Sequence, residues 1–248
     1  MSLVFKEQYR IELAKTLEGH WYSVYKKGKK REYFIGHYPS VTTILQAFPT
    51  SEYLVKWVAE NGFHESRAIR DAAGRAGTKI HLAIEDLLAG ELLHEEDYTM
   101  VEWTKIKSFV DWHVEFNPEI IATEVAIFSK KGGYAGRLDC IAKVAGDLTI
   151  IDWKSSSSIH NSFACQFAAY AHAIEETTDL KIVQTAALQL GAKNKNGYRY
   201  VIYPDWKNHY KVFQSVKATW QYDNFDCKQN DKGALVLTLP ETLKLKLN

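Results

Sequence analysis

An apolar strand that runs directly into charged residues is the feature that most constrains how this chain folds. The segment Leu148-Thr149-Ile150-Ile151 has the composition of a fully buried strand, and Asp152-Trp153-Lys154 follows it without a turn. Ionised side chains at the end of a core strand need partners, because an unpaired buried charge is costly. The sequence therefore predicts a sheet in which one buried strand ends in a polar site.

A second carboxylate is expected beside this one. Asp139 closes the segment Gly136-Arg137-Leu138-Asp139, thirteen residues before Asp152. If the two strands that carry these residues pair as a hairpin, Asp139 lies near the same end as Asp152 and Lys154. Two hard oxygen donors suit Mg²⁺ or Mn²⁺, and Lys154 would lie beside whatever the metal holds. For the Asp-x-Lys pattern taken alone, a surface salt bridge is the alternative.

Five further polar residues are candidates for the same site. His81 and Glu85 are four apart on a predicted helix, so they share one of its faces. Gln166 and Tyr170 have the same spacing on a later helix, and Glu124 lies in the strand before Asp139. The structural alternatives are a hydrogen-bonded core histidine, helix packing for the Gln–Tyr pair, and an exposed strand position for Glu124.

The order of predicted elements indicates an α/β fold. Strands are predicted at about 20–25, 32–35, 120–129, 134–144, 148–154, 181–190 and 198–203. Helices are predicted at about 52–93, 101–116, 162–176 and 205–220. This order predicts one core sheet flanked by helices, with no linker between autonomous domains.

Local signals refine these boundaries. The long helical stretch is expected to break near Gly74 and Gly77, because glycine disfavours a helix interior. Ser40 is the expected N-cap of a short helix. Gly146-Asp147 is the expected turn between the two strands that carry Asp139 and Asp152.

Composition excludes several classes of protein. The chain has 248 residues, of which 46% are hydrophobic and 25% charged, which excludes a disordered chain. No apolar stretch is long enough to span a membrane, and the first residues lack a secretory signal. Cys140, Cys165 and Cys227 form no CxxC pair, which argues against a four-cysteine zinc site or iron–sulfur cluster. These features favour a reducing, cytoplasm-like compartment.

The formal charge of +1 conceals an uneven distribution along the chain. Residues 61–180 carry eleven basic and nineteen acidic side chains, whereas residues 181–248 carry eleven and five. The basic turn at 26–31 adjoins Trp21, Tyr22 and Tyr25, a mixture expected where a protein contacts unpaired bases. A solvated hairpin tip is the alternative for that turn. The distribution leaves a nucleic-acid partner open, although the total charge is close to neutral.

The ordered set of motifs resembles the RecB-like branch of the PD-(D/E)XK nuclease superfamily. The residues that carry the resemblance are Gly77-Thr78, His81, Glu85, Glu124, Gly136, Asp139, Asp152-Trp153-Lys154, Gln166 and Tyr170. Segments 133–140 and 151–155 are similar to the mitochondrial genome maintenance exonucleases and their phage-type relatives, as is segment 39–45. The resemblance covers about residues 18–190.

The resemblance implies a fold and an activity. The fold is a restriction-endonuclease-like core, a central mixed sheet flanked by helices, with an N-terminal hairpin and helical elaboration. The expected single nuclease domain spans 1–248, with an N-terminal part at about 1–75, a core at about 76–204 and a C-terminal helical extension at about 205–248. The activity is a metal-dependent DNA exonuclease acting at single-stranded ends or flaps in replication, repair or recombination.

The resemblance also implies roles for individual residues. Asp139, Asp152 and Lys154 would be catalytic, and the Mg²⁺ or Mn²⁺ ligands would be His81, Asp139, Asp152 and the Trp153 carbonyl. Glu85, Glu124, Gln166 and Tyr170 would support the site. The residues expected to contact DNA are Arg75, Lys79, Arg137 and Ser155. No iron–sulfur cluster is expected, although some relatives have one.

Two alternatives stay open at this point. One is a structure-specific endonuclease on the same fold, and the other is a catalytically silent DNA-binding module. We expect a location in the cytoplasm of a bacterium or a phage-infected host, or in an organelle if a transit peptide is missing. No membrane partner is expected.

Overall fold

The computed structural model describes residues 3–16 and 19–226, which form two β-sheets and their flanking helices. The strands are β1 (Tyr9–Thr16), β2 (Gly19–Lys27), β3 (Glu32–Pro39), β4 (Glu119–Ser129), β5 (Tyr134–Val144), β6 (Asp147–Lys154), β7 (Gln184–Leu190) and β8 (Tyr198–Tyr203). The α-helices are α1 (Val41–Ile44), α2 (Glu52–Asn61), α3 (Phe63–Ala89), α4 (Met100–Phe116), α5 (Asn161–Thr177) and α6 (Trp206–Gln221). Among these residues no helix is both long and apolar enough to cross a bilayer.

The central sheet has the strand order β4-β5-β6-β7-β8. All neighbours pair antiparallel except β6 and β7, which are parallel. A parallel pair needs a crossover, and α5 is the helix that makes it. The prediction of a mixed sheet flanked by helices is confirmed, and the apolar strand of the sequence lies in the middle of that sheet.

Strand β6 faces two different cores because its side chains alternate. Ile150 packs in the core on the side of α5 and α6, together with Ala169 and Phe213. Ile151 and Trp153 pack in the core on the side of α3 and α4. The same alternation places Asp152 and Lys154 on the α5 side, at the point where the strand leaves the core.

The N-terminal part is a three-stranded antiparallel sheet rather than a hairpin. The predicted hairpin corresponds to β2 and β3, and β1 pairs with β2 along its whole length. Strand β1 was not predicted from the sequence because it is an edge strand whose described side chains are all exposed or half-buried, so its apolar alternation is weak. One face of this sheet packs on the central sheet through Phe128, whose ring lies 5.3 Å from Tyr9 and 4.6 Å from Tyr38.

Two of the expected local signals need correction and one is confirmed. Helix α3 continues through Gly74 and Gly77, and the interruption lies at Gly62, whose φ of 80° is readily adopted by glycine. The β5–β6 turn is Ala145-Gly146, one residue earlier than expected, because both residues adopt the positive φ of a tight hairpin. Ser40 does cap α1, accepting a hydrogen bond from the backbone N–H of Thr43 at 2.9 Å.

The predicted C-terminal helix is α6, which packs on α5. A π-helical turn, Tyr222–Asp226, follows α6, and residues 227–248 of the predicted C-terminal extension, including Cys227, lie outside the described residues. Cys140 and Cys165 are buried free thiols. Burial raises the pKa of the Cys165 thiol to about 11, so it is protonated at neutral pH.

Candidate active site

The two aspartates of the sequence motif meet where β5 and β6 separate. The last backbone pair of this ladder joins Cys140 to Ile151, so Asp139 and Asp152 lie just beyond it. The Trp153 backbone N–H donates to Asp139 Oδ2 at 2.8 Å and thereby anchors that carboxylate across the gap. The hairpin thus brings together the carboxylates that the sequence analysis expected to be close.

Lys154 lies against Asp152. Its Nζ is 2.6 Å from Asp152 Oδ2, a close ion pair between two largely buried groups. Among the residues that the structure describes, the same oxygen has no hydrogen-bond partner. Asp152 Oδ2 therefore has a charge partner and still has lone pairs available for a ligand.

Helix α5 supplies the surroundings of Lys154. Lys154 Nζ donates to Gln166 Oε1 at 3.1 Å, and Gln166 Nε2 donates to Tyr170 Oη at 2.9 Å. The ammonium also lies 4.3 Å from the ring centroid of Phe163 and 5.3 Å from that of Phe167, within cation–π range. These four residues share one face of α5 because of their helical spacing.

His81, on α3, lies beside the Asp139 carboxylate. Its Nε2 lies 3.0 Å from the Trp153 carbonyl oxygen, so this nitrogen carries the hydrogen and donates. Burial lowers the pKa of His81 and favours the neutral ring, which leaves a lone pair on Nδ1. That lone pair faces Asp139 Oδ2 at 3.5 Å. Two lone pairs directed at one another repel unless a cation or a proton lies between them.

Glu124 completes the group from β4. It has a φ of 50°, which is unusual for a non-glycine residue and costs about 1–3 kcal/mol. His81, Glu124 and Asp139 each offer a ligand atom, and these atoms all lie within 4.8 Å of one another. One imidazole nitrogen and two carboxylate oxygens are a donor set that fits a divalent cation. The available lone pairs of Asp152 and His81 agree with that fit.

The electrostatics of these acidic side chains also favour a bound cation. Burial raises the pKa of Asp139 well above its ordinary value, and the neighbouring charge of Asp152 adds to this, while Lys154 opposes it. Burial, followed by the charge of Glu85, raises the pKa of Glu124. A site that disfavours this many negative charges is one that a bound cation would stabilise.

Glycines in the motifs allow close packing around the site. A Cβ on Gly136 would lie 3.0 Å from the Tyr170 ring, and one on Gly77 would lie 3.0 Å from Ser155 Oγ. The structure therefore brings Ser155 beside α3. The ring of Tyr170 can lie flush against β5 only because residue 136 has no side chain.

The other residues predicted to support the site or to contact DNA lie at different distances from it. Glu85 is exposed and influences Glu124 only through its charge. Arg137 lies at the site, with one guanidinium nitrogen 3.5 Å from Glu124 Oε2 and most of its side chain exposed. Arg75 is exposed on α3.

Lys79 is directed towards α4 instead. It donates to the Glu102 carboxylate at 3.3 Å and to the Asp97 carbonyl, and its ammonium lies 4.7 Å from the Tyr98 ring. These contacts tie α3 to the start of α4. The role of Lys79 in binding DNA, like the roles of the other site residues, stays a prediction.

Two residues that the sequence analysis missed hold the loop after Lys154. Lys105 on α4 donates to the Ser155 carbonyl at 2.7 Å, and Gln189 at the end of β7 donates to the Ser156 carbonyl at 3.1 Å. Gln189 could have been found from the sequence, because it is a polar residue near the end of an apolar strand, as Asp152 is. No sequence signal distinguishes Lys105 from a surface lysine.

The chain has recognisable relatives among known proteins. It is similar to mitochondrial genome maintenance exonuclease 1 of Homo sapiens, with 30% identity over 158 residues, 57% of this chain and 45% of that protein. Its identity to the Xenopus tropicalis protein of the same name is 32% over 155 residues, 56% of this chain and 44% of that protein. The matched region is thus less than half the length of either curated relative.

A solved structure shows a more distant likeness. An alkaline exonuclease from Laribacter hongkongensis aligns with 77% of this chain and 93% of its own, at 8% identity and a TM-score of 0.32. A score this low does not establish a shared fold.

The superfamily match is more extensive than these pairwise similarities. A model of the PD-(D/E)XK nuclease superfamily matches residues 53–232, a span that includes the site from His81 to Tyr170. Since this match covers well over half of the chain and the fold is the mixed α/β sheet that such a core requires, the chain belongs to the PD-(D/E)XK nuclease superfamily.

Proposed function

We propose that this protein is a metal-dependent DNA exonuclease that hydrolyses phosphodiester bonds at single-stranded ends or flaps during replication, repair or recombination. The observation that carries the proposal is the convergence of Asp139, Asp152 and Lys154 with His81 and Glu124 at one end of the central sheet. Superfamily membership and the exonuclease names of the two relatives support it.

The residues of the site would have different roles in the reaction. His81, Asp139, Asp152 and the Trp153 carbonyl would hold Mg²⁺ or Mn²⁺, and Glu124, whose carboxylate lies within 4.8 Å of the ligand atoms of His81 and Asp139, would add a further ligand. A divalent ion, when bound, activates water and offsets the negative charge that develops on a phosphodiester during hydrolysis. Gln166 holds the Lys154 ammonium and so preserves its direction. We infer that Lys154 orients water and stabilises charge rather than abstracting a proton, because Asp152 lies 2.6 Å from it as a charge partner.

The proposed substrate contacts lie around this group. Arg137 and Ser155 are beside the site, where they would meet phosphate oxygens, and Arg75 is exposed on the same helix as His81. We also propose that residues 1–248 form one nuclease domain. Its free buried thiols fit a reducing compartment, either cytoplasmic or organellar.

The decisive experiment is digestion of single-stranded DNA labelled at its 5′ or 3′ end, with Mg²⁺ or Mn²⁺ and with EDTA. We expect the unmodified protein to release short products from an end, and EDTA to abolish this activity. Asp152→Asn and Lys154→Ala should each lower the rate by about 10²–10³-fold, because each removes a charge that the transition state needs.

A matched control lies on the same strand. Asp147→Asn makes the same chemical change at the exposed start of β6 and should leave the rate unaltered. Equal rates for Asp152→Asn and Asp147→Asn would contradict the proposal.

The two alternatives give different results in the same assay. Cleavage of closed circular single strands would identify an endonuclease. If no metal supports cleavage and Asp152→Asn alters only binding, the protein is a DNA-binding module.

A further inference from the structure

The N-terminal sheet has a second face, turned away from Phe128, that carries aromatic and cationic side chains. We call it the outer face and define it by Arg10, Tyr25, Phe34 and His37. Arg10 and Phe34 are both register partners of Tyr25, so the three side chains lie on one side of the sheet. His37 pairs with Ser23, which lies on the same side as Tyr25.

The rings on the outer face are in contact with one another. Tyr25 and Phe34 have centroids 5.3 Å apart, and Phe34 and His37 are 4.8 Å apart. The Arg10 guanidinium lies 4.0 Å over the Tyr25 ring, and Ser23 Oγ lies 3.0 Å from His37 Nδ1. Phe34 is nonetheless 53% exposed. A phenylalanine held in place by neighbouring rings and open to solvent is a ready platform for stacking.

A basic turn adjoins this row of rings. The end of β2 contributes Lys27 to it and the β2–β3 turn contributes Lys29, Lys30 and Arg31; within the part of the chain that the structure describes none of the four forms an ion pair. By contrast, Arg10 forms ion pairs with the two acidic side chains nearest to it, Glu12 and Glu32. The turn therefore presents unneutralised positive charge beside exposed rings.

The turn is also ordered by its own packing. The Gly28 N–H donates to the Arg31 carbonyl at 3.0 Å, and the Tyr33 ring occupies the space where a side chain at position 28 would lie. The backbone of the basic turn is thus held at a defined position relative to Phe34.

Among residues 3–16 and 19–226, the outer face is covered only at the end that carries Trp21. Trp21 lies on the same side of β2 as Tyr25 but is buried, with its ring 5.9 Å from that of Trp220 in the core. Trp21 is therefore not available for stacking on bases, contrary to the expectation from its place in the sequence. From Tyr25 onwards the face is open, up to the basic turn.

We propose that the outer face and the basic turn bind single-stranded DNA, with Phe34 stacking on an unpaired base and the turn contacting phosphates. The inference rests on the proposed nuclease function. It assigns to the DNA strand a binding surface that lies away from the cleavage site. Exposed aromatic rings stack on unpaired bases, and cations without an ion-pair partner contact phosphates. Charge complementarity therefore favours DNA, a polyanion, over a protein as the partner of this surface.

The position of β2 connects this surface with the active site. Tyr22, on the inner side of β2, is close enough to Arg137 and Glu124 for their charges to affect its pKa, which burial raises. Lys27 lies five residues further along the strand, about 16 Å away at ~3.3 Å per residue. A DNA strand that leaves the active site and follows the length of β2 would reach the basic turn.

The test measures equilibrium binding of a fluorescent 30-nucleotide strand by anisotropy in EDTA, where no cleavage occurs. Phe34→Ala should weaken binding by about tenfold, and Phe34→Trp should restore it, because stacking needs an aromatic ring. On a strand of abasic sites Phe34→Ala should have no effect. An equal loss on the abasic strand would mean a structural role and overturn the proposal.

The charge of the turn has its own test. The double variant Lys29→Glu/Lys30→Glu should reduce the magnitude of the negative slope of log K against log salt concentration by about 1.4, for two lost single-strand phosphate contacts. Lys193→Glu/Lys195→Glu, in the exposed β7–β8 turn, is the control with the same change of charge. Equal slopes for both double variants would overturn the proposal.

The outcomes separate this surface from the catalytic proposal. A protein that binds through Phe34 but never cleaves would leave the surface intact and remove the nuclease function. If the unmodified protein cleaves DNA and the Phe34 and turn variants bind DNA as tightly as it does, the nuclease function stands and the proposed binding surface is overturned. Binding of RNA and DNA of the same sequence with equal affinity would still support the stacking surface and would assign no sugar preference to it.

Discussion

Single glycines decide how closely the site can pack. Three of them lie in or near the motifs, at positions 74, 77 and 136, and the sequence does not distinguish their roles. In the structure a Cβ on Gly74 would meet nothing within 4 Å, whereas one on Gly136 would press on Tyr170. The same residue type is therefore dispensable at one position and required at another.

We expect Gly136→Ala and Gly74→Ala to have opposite effects. Gly136→Ala should destabilise the fold by about 1–3 kcal/mol through overpacking, and should lower nuclease activity by displacing Tyr170 and with it Gln166. Gly74→Ala should stabilise the protein by up to about 1 kcal/mol, because alanine favours a helix interior. Urea unfolding and initial rates of both variants check this, and a stabilised Gly136→Ala would contradict it.

At the scale of an element, the start of α4 joins parts of the molecule that are distant in sequence. Thr99 N donates to Glu102 Oε2 at 2.8 Å and Thr99 Oγ1 accepts from Glu102 N at 3.3 Å, a reciprocal capping box. Lys79 of α3 reaches the same carboxylate, and one turn later Lys105 holds the Ser155 carbonyl. Helix α4 therefore positions the loop that follows Lys154.

We expect Thr99→Ala to lower the free energy of unfolding by about 1 kcal/mol, because it removes a helix cap that is tied to a second helix. Ser51→Ala, at the exposed N-cap of α2, is the matched control and should cost about 0.5 kcal/mol, since Ser51 makes a single bond at 3.2 Å. Chemical denaturation of the two variants measures the difference. A smaller loss for Thr99→Ala than for Ser51→Ala would contradict the role given to α4.

At the scale of the whole molecule, the N-terminal sheet and the central sheet meet at Phe128. Its side chain is buried between Tyr9 and Tyr38 of the N-terminal sheet, and a backbone bridge joins Ser40 to Ala135 nearby. This contact places Tyr22 at the active site and orients the outer face. The proposal of one domain depends on it.

We expect Phe128→Ala to lower the free energy of unfolding by about 3–5 kcal/mol, because it leaves a cavity at this junction. If the two sheets form one unit, far-UV circular dichroism and tryptophan fluorescence should report a single coincident transition. Val114→Ala, at a position 75% exposed on α4, should change stability by less than about 0.5 kcal/mol. Two separate transitions in the unmodified protein would argue for two domains.

Much of the fold and part of the site could be predicted from sequence because the signals are local. Asp139, Asp152 and Lys154 are joined by one hairpin, and strand alternation relates their side chains directly. Elsewhere intrinsic preferences were misleading: α3 continues through Gly74 and Gly77, because a glycine costs only about 1 kcal/mol in a helix interior and the other residues of this 27-residue helix outweigh that cost.

The sequence alone determined the central sheet, its flanking helices, the two aspartates with their lysine, and the resemblance to a nuclease superfamily. Only the tertiary structure decided that the His81 lone pair faces Asp139, that Glu124 adopts a positive φ beside them, and that Lys105 holds the Ser155 loop. Those groups come from elements far apart in the chain. Their meeting depends on how α3, α4 and β4 pack around β6, and side-chain spacing along one element carries no information about that packing.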